Sequence, residues 1–242
     1  PEVWDPDTGS EAPAGVWRRA PFGREPRGGT AVVLRLEPKA TLLVVFRAGP
    51  EPAHAVSASA PVERVRIDGR TATATVRVTG PGPVTVTATE GGRAFSGTAT
   101  VSDPLTAVPL GGDWALHFDR AGAPVSTRPL GSWTELDAAY SGSAWYETDV
   151  EVTALAGRRW TLDLGEVHEV AELEVNGKPF GSRLWPPYRF DVTTVLRPGH
   201  NRIRVRVTNT GANTRGQTVA SGLFGPVTLR PHLLVDVALN AR

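Results

Sequence analysis

The stretch VAELEVNGKPFG, residues 170–181, indicates how the second half of this sequence folds. Glu172 and Glu174 are two residues apart, so they share the solvated face of a half-buried strand, on which apolar and polar side chains alternate. The strand ends at Asn176-Gly177, a pair that accepts the positive φ angles of a tight two-residue turn. The stretch therefore predicts an antiparallel β-hairpin.

Two flanking stretches show the same alternation with opposite charges. WYETDVEV (145–152) alternates apolar side chains with acidic ones, and HNRIRVRVTNT (200–210) alternates apolar side chains with arginines. Acidic and basic rows complement each other when their strands are neighbours, which predicts a sheet with one dry and one wet face. The acidic row is Glu147, Asp149 and Glu151, and the basic row is Arg202, Arg204 and Arg206.

The first half carries similar turn signals. Alternating runs flank Asp68-Gly69 and Gly91-Gly92, which predicts two further hairpins. Short strands joined by turns, without a convincing helix, predict an all-β protein of two β-sandwich domains, the second a sandwich or jelly roll. A turn-rich connection near residue 108 divides the chain into residues 1–108 and residues 109–242. Residues 1–108 are either a complete sandwich or strands that complete a preceding, missing domain.

Composition excludes several classes of function. Among 242 residues, 26 are basic and 25 acidic, so the net charge of +1 gives no electrostatic reason to expect nucleic acid or an anionic membrane as partner. The absence of cysteine excludes disulfides and thiol catalysis. No apolar run approaches the ~20 residues that span a bilayer. The chain starts at Pro1 and has no methionine, so we expect a piece of a longer protein whose signal peptide is not visible.

The carboxylates and histidines do not form a recognisable active site. A glycosidase needs two carboxyl groups facing one gap, roughly 5–10 Å apart. Glu172 and Glu174 lie about 7 Å apart by strand geometry, but on a solvated face. Glu166 and Glu169 flank His168 in what we interpret as a solvated turn. Because the histidines are scattered without HxH or HExxH spacing, we predict no zinc site, no cofactor and no catalytic residue in this chain.

Three stretches resemble, in chain order, the sugar-binding-type jelly-roll domain of glycoside hydrolase family 2. They are SAWYETDVEV (143–152), LDLGEVHEVAELEVNGKPFG (162–181) and YRFDVTTVLRPGHNRIRVRVTNT (188–210). The resemblance implies that the second domain is a galactose-binding-like jelly roll. Jelly rolls of this kind often hold a structural calcium ion, but the residues here do not locate one.

A narrower resemblance covers more of the chain. WDPDTG (4–9), LLVVFR (42–47), LWPPYRFDVT (184–193) and SGLFGPVTL (221–229) are similar to the C-terminal region of family 106 α-L-rhamnosidases. This resemblance implies a parent protein that degrades plant-type or bacterial polysaccharides outside the cell. Its catalytic carboxylates would lie in a preceding barrel domain that is not part of this chain.

Aromatic and amide side chains remain as candidates for binding. Sugars pack their C–H faces on aromatic rings and pair their hydroxyl groups with planar donors and acceptors. Two prolines in a row cannot lie inside a sheet, so the residues around Pro186-Pro187 form a loop or strand edge. The candidates for carbohydrate binding or a domain interface are Arg183, Trp185, Tyr188, Asn209 and Asn213.

The position of each aromatic residue in the alternation suggests what it contacts. Trp185 and Tyr188 precede the point at which the core pattern resumes, Phe190, so we expect them to contact something beyond this sandwich. That contact is either a sugar or the missing catalytic domain. Trp145 and Trp160 sit in regular alternation, which predicts that both are core residues.

Two functional hypotheses follow. The first is a non-catalytic accessory β-sandwich region of a secreted or extracellular, α-L-rhamnosidase-like glycoside hydrolase, packing against or supporting the catalytic domain. The alternative is an autonomous carbohydrate-binding module with Trp185 and Tyr188 as its platform. The expected partners are carbohydrate and the missing catalytic domain, with neither nucleic acid nor a membrane.

Overall fold

The computed structural model describes residues 1–69, 71–153 and 157–242. The described residues form β-strands and two short 3-10 helices, Trp133–Glu135 and Asn213–Arg215, which confirms the prediction of an all-β fold with β-sandwich domains. None of the described helices has the length and apolar character needed to cross a membrane. The strands are β1 (Glu2–Asp5), β2 (Ser10–Pro13), β3 (Trp17–Phe22), β4 (Glu25–Val32), β5 (Leu43–Val45), β6 (His54–Ala58), β7 (Val62–Asp68), β8 (Thr71–Val78), β9 (Gly82–Glu90), β10 (Arg93–Val101), β11 (Val108–Pro109), β12 (Trp114–Phe118), β13 (Ser126–Arg128), β14 (Ser143–Val152), β15 (Arg159–Asp163), β16 (Glu166–His168), β17 (Val170–Val175), β18 (Lys178–Arg183), β19 (Arg189–Asp191), β20 (Gly199–Thr208), β21 (Gly222–Gly225) and β22 (Thr228–Ala241).

The chain divides into two compact units. The first comprises Pro1–Leu105 together with His232–Arg242, and the second comprises Thr106–Pro231. The boundary predicted from the sequence, at residue 108, places the C-terminal segment in the second domain. The structure differs on this point. The structure groups that segment with the first unit because residues 233–239 of β22 pair with β8 and residues 240–241 pair with β10.

The first unit is built on antiparallel pairs. β9 lies between β6 and β10, β7 pairs with β8, and the later part of β22 joins both groups. The side chains that alternate inward along β8, β9 and β10 form a core that includes Val76, Val86 and Phe95. A separate three-stranded sheet in the order β2-β1-β5 and the β3–β4 pair complete this unit.

The second unit is built on a six-stranded antiparallel sheet in the order β13-β12-β14-β20-β17-β18. One face of this sheet covers a core that includes Trp114, Tyr146, Leu173, Ile203 and Val205. β15 pairs with β19, β16 pairs with β21, and β11 pairs with the start of β22 at Val108 and Leu229; all contribute to the same core.

The predicted hairpins are present, and the pair at Asn176-Gly177 shows why the sequence indicates them. Both residues have positive φ, 51° and 80°, as a tight hairpin turn requires, and Val175 pairs with Lys178 across the turn. β9 and β10 likewise pair across Gly91-Gly92. In both cases the turn joins two strands that are consecutive in the chain.

The charged rows also pair as predicted. β20 lies between β14 and β17, so Arg204 and Arg206 each have a paired residue on either side, whereas Arg202 is paired with Asp149 of β14. Arg204 is opposite Glu147 on one side and opposite Glu174 on the other. The apolar residues of the same strands, such as Ile203 and Val205, are fully buried. The sheet therefore has one dry and one charged face.

Candidate functional site

The loop around the two prolines separates its aromatic rings. Leu184 and Trp185 are 55% and 37% exposed, whereas Tyr188 is 3% exposed and belongs to the core cluster. Tyr188 donates its hydroxyl hydrogen to the carbonyl oxygen of Glu169, and its own carbonyl oxygen accepts from the amide of Leu164 at 2.9 Å. The expectation that Tyr188 lies outside the core is wrong, and its ring is not available to form a platform with Trp185.

Arg183 covers the edge of the core. It lies opposite Ala171 in the β17–β18 pair, and Ala171 is fully buried. The guanidinium carbon of Arg183 is 4.9 Å from the centre of the Phe190 ring, and Nη1 donates to the carbonyl oxygen of Ser182 at 3.1 Å. The side chain therefore acts as an amphipathic cover, whose methylenes and planar head shield an aromatic ring from water.

Asn209 holds the loop that follows β20. Its Nδ2 donates to the carbonyl oxygen of Tyr140 at 3.1 Å and to the hydroxyl of Ser221 at 2.9 Å, and its Oδ1 accepts from the amide of Gly142 at 2.8 Å. The donor and acceptor groups of the Asn209 side-chain amide are therefore engaged in hydrogen bonds within the protein. Asn209 thus ties together three segments that are distant in sequence.

Asn213 performs a similar role a few residues later. It is 2% exposed, its Nδ2 donates to Val219 and Ser221 at 3.2 Å each, and its Oδ1 accepts from the amide of Val219 at 2.9 Å. The structure therefore brings Asn209 and Asn213 together at Ser221. Arg183 and Tyr188 have the separate partners described above, so Asn209 and Asn213 are the two predicted residues that share a described contact.

A residue that the sequence analysis assigned to the core lies on the charged face instead. Trp145 is partly exposed and is opposite His117 and Arg206 on the neighbouring strands, whereas Trp160 is 3% exposed in the core as predicted. The signal was present in the sequence, because Trp145 is two residues from Glu147 and must share its face. The prediction that Trp145 is a core residue is therefore wrong.

A cavity of about 220 Å³ adjoins Trp145 on this face. In the β17–β20 pair Arg206 is opposite Glu172, and in the β17–β18 pair Glu172 is opposite Ser182. This register sets an indole, a guanidinium, a carboxylate and a hydroxyl on four adjacent strands. The cavity is lined by Trp145, Glu172, Leu173, Glu174, Pro179, Gly181 and Ser182.

Arginines hold the carboxylates of this face in place. Arg204 bonds Glu174 and Glu147 at 3.0 Å each, and its guanidinium carbon lies 4.3 Å from the centre of the Trp145 ring. Arg206 bonds Glu172 at 3.3 Å. A glycosidase acid must donate a proton to the leaving oxygen, whereas these carboxylates accept hydrogen bonds from guanidinium groups.

Among the carboxylates that bond the arginines of the charged face, Glu147 is the most buried, with 15% of its side chain exposed. Burial alone would raise its pKa, but hydrogen bonds from Arg202 and Arg204 outweigh that effect and hold the pKa of Glu147 below its ordinary value. Outside this face, His168 contacts Glu166 at 2.7 Å and packs on Phe224. No cluster of three or more metal-binding side chains occurs within the described ranges.

The second unit is similar to a domain of known proteins. Residues 125–230 match the family model for the glycosyl hydrolase 2 galactose-binding domain-like domain. This match confirms the resemblance predicted for the second half. A protein from Formosa agariphila named "Putative beta-glucuronidase" is 31% identical to the chain in an alignment of 124 residues that covers 47% of this chain and 11% of that protein.

Solved structures of glycoside hydrolases are similar to the chain. A rhamnosidase from Novosphingobium sp. PP1Y is 21% identical over 74% of this chain and 24% of that chain, with a TM-score of 0.46. A Ruminococcus gnavus β-glucuronidase is 22% identical over 52% of this chain and 28% of that chain, with a TM-score of 0.44. The chain thus spans 24% and 28% of the length of these two proteins, and 11% of the Formosa agariphila protein.

Proposed function

We propose that this chain is a non-catalytic accessory region of a polysaccharide-degrading, α-L-rhamnosidase-like glycoside hydrolase, and that it packs against or supports the catalytic domain of the same parent protein. The observation that carries the proposal is the match of residues 125–230 to the galactose-binding-like family model. The Formosa agariphila relative adds support, because the chain spans only 11% of that protein and most of its length lies outside the matched region.

The chemistry of the charged face supports a non-catalytic role. The carboxylates with the spacing of a catalytic pair, Glu172 and Glu174, are each bonded to an arginine. Acid–base cleavage of a glycosidic bond needs one carboxyl group that gives up a proton and another that faces the sugar from the opposite side. Two carboxylates side by side on one strand do not provide that arrangement.

Exposed apolar side chains in the first unit support packing against a further domain. Among the described side chains of residues 22–46, five large apolar ones are at least half exposed, and exposed apolar surface can mark a site of contact with another domain. A catalytic domain of the same parent protein is the occupant that we propose for them. They are Phe22, Val33, Leu36, Leu43 and Phe46, with exposed fractions of 74%, 64%, 61%, 51% and 60%.

The proposal includes a location and a set of partners. Polysaccharides are too large to enter a cell intact, so an enzyme that degrades them acts outside it, and we propose that the parent protein is secreted. The partners are the catalytic domain and carbohydrate, and the accessory role requires no cofactor.

Hydrolysis assays test the non-catalytic role. The purified chain is incubated with an aryl α-L-rhamnoside and an aryl β-D-glucuronide, and release of the aryl group is followed. We expect no turnover above buffer. Enzymatic release of either aryl group by this chain alone would overturn the proposal.

Thermal unfolding tests the packing role. The double variant Leu36→Ser/Phe46→Ser is made in the isolated chain and in the full-length parent protein. Because both side chains are largely exposed, we expect little change in the Tm of the isolated chain but a drop of several degrees in the parent. Val125→Ser, at a 65% exposed position of the second unit, is the control and should change neither. An unchanged parent Tm for the double variant contradicts packing through this stretch.

A further inference from the structure

We propose that the cavity beside Trp145, on the charged face of the six-stranded sheet, binds a single neutral sugar residue. This inference rests on the proposed function, which includes carbohydrate as a partner, and deepens it by naming the site and the kind of sugar. It places the sugar at Trp145, whereas the carbohydrate-binding alternative derived from the sequence places it on Trp185 and Tyr188.

The first reason is the position of the indole. A tryptophan in regular alternation normally faces the core, but Trp145 shares its face with Glu147 and is partly exposed. Its neighbours across the sheet are polar: His117 on one side and Arg206 on the other. A large apolar ring among polar side chains is the arrangement that packs on the C–H face of a sugar while leaving its hydroxyl groups near hydrogen-bonding partners.

The second reason is the composition of the cavity wall. The cavity holds about 220 Å³, below the ~300–1,000 Å³ of sites for drug-sized ligands, which suits one sugar ring and excludes a larger aromatic cofactor. Two acidic residues, Glu172 and Glu174, and Ser182 line the same cavity as the indole. Carboxylate oxygens accept hydrogen bonds only, and sugar hydroxyl groups can donate to them.

The third reason is preorganisation. Arg204 fixes Glu174 at 3.0 Å, and Arg206 fixes Glu172 at 3.3 Å, so neither carboxylate has to lose much freedom when a ligand binds. The guanidinium of Arg204 also lies 4.3 Å from the centre of the Trp145 ring, where it holds the indole in place. The acceptors and the platform are thus held before any sugar arrives.

Charge selects the kind of sugar. Glu172 and Glu174 line the cavity itself, while the guanidinium groups beside them are already engaged by carboxylates. The carboxylate of a uronic acid would approach two like charges, which costs binding free energy. The cavity therefore favours a neutral sugar over an acidic one.

Isothermal titration calorimetry with single sugars tests this proposal. L-rhamnose and D-galactose are the neutral probes, and D-glucuronate is the acidic one. We expect at least one neutral sugar to bind with a Kd in the millimolar range, and D-glucuronate to bind at least tenfold more weakly. If neither neutral sugar binds at a hundred-millimolar concentration, or if D-glucuronate binds as well as the neutral sugars, the proposal is overturned.

Three variants locate the site. Trp145→Ala removes the platform, and Ser182→Phe fills the cavity from an exposed position on the edge strand β18, so it blocks binding even if the first variant disturbs folding. Each should weaken binding at least tenfold. Trp185→Ala, the matched control outside the cavity, should leave the Kd unchanged. Binding that survives both cavity substitutions, or that is lost in the Trp185→Ala variant, contradicts the assignment.

Discussion

The hydroxyl group of Tyr188 donates a hydrogen bond to the carbonyl oxygen of Glu169. This contact anchors a ring that directly follows two prolines to the residue just before β17. Three residues earlier in the same loop, Trp185 is 37% exposed, whereas Tyr188 is 3% exposed. One loop thus supplies one ring to the core and one to the surface.

Substitutions at these two rings should have unequal effects on stability. Tyr188→Ala leaves a cavity in the core and should cost about 3–5 kcal/mol of unfolding free energy. Tyr188→Phe loses only the hydrogen bond and should cost about 1 kcal/mol. Trp185→Ala, at the surface, should cost less than about 1 kcal/mol. Urea unfolding followed by tryptophan fluorescence measures all three, and equal losses for Tyr188→Ala and Trp185→Ala would contradict the assignment of Tyr188 to the core.

Gly97 should not tolerate a side chain. A Cβ atom at this position would lie 1.9 Å from the carbonyl oxygen of Ala238, so one backbone would have to move. We expect Gly97→Ala to lower the unfolding free energy of the first unit by about 1–3 kcal/mol or more. Gly80→Ala is the matched control, because nothing lies within 4 Å of its Cβ position. Circular dichroism melts compare the two, and similar Tm values would show that β22 can shift.

Asn213 should matter for folding even in the absence of sugar. Asn213→Ala removes the two hydrogen bonds that the buried side chain of Asn213 makes to the carbonyl and the amide of Val219, which should cost about 0.5–1.5 kcal/mol each. Gln217→Ala changes an exposed residue of the same loop and should be nearly neutral. Hydrogen exchange of the Val219 amide reports the loop directly. Unchanged protection in the Asn213→Ala variant would mean that the asparagine does not hold this loop.

Tyr146 should make the protein less stable in alkali. Burial raises the pKa of Tyr146 from 10.0 to about 12. Below pH 10 the residue is protonated in both states, and its contribution to stability is complete. As pH rises from 10 through 12 the unfolded chain ionises first, so the contribution is lost by about 1.4 kcal/mol per pH unit.

The Tyr146→Phe variant isolates this effect. It should flatten the dependence of unfolding free energy on pH between 10 and 12 by the equivalent of one proton. Burial also raises the pKa values of Tyr140 and Tyr188, so some slope should remain. Urea unfolding at several alkaline pH values measures how the free energy of unfolding changes with pH. Identical slopes for the Tyr146→Phe variant and the unsubstituted chain would contradict the raised pKa of Tyr146.

The sheet of the second unit was largely predictable because its information is local. Asn176 and Gly177 specify a tight turn, and the alternation of Ile203 with Arg204 specifies which side of β20 is buried. The pairing of the acidic and basic rows followed from charge complementarity between strands that each have one apolar face. The residue type of Trp145 favours the core, but its spacing of two residues from Glu147 places it on the charged face.

The candidate site was less predictable. The polar side chains of Arg183, Asn209 and Asn213 suggest ligand binding, but polar groups near a core often form their hydrogen bonds within the protein itself. Whether a polar side chain bonds the protein or a ligand depends on which groups from distant parts of the chain lie beside it, such as Tyr140 and Ser221 beside Asn209. No local pattern encodes those neighbours.

The sequence by itself determined that this protein is all-β, where its hairpins turn and which face of each long strand is wet, because covalent geometry makes side chains alternate along a strand. Only the tertiary structure decided that Tyr188 is buried, that the end of β22 pairs with β8 of the first unit, and that Trp145 adjoins a cavity with Glu172. These features depend on the register between strands that are distant in sequence, and that register is set by packing across the whole unit.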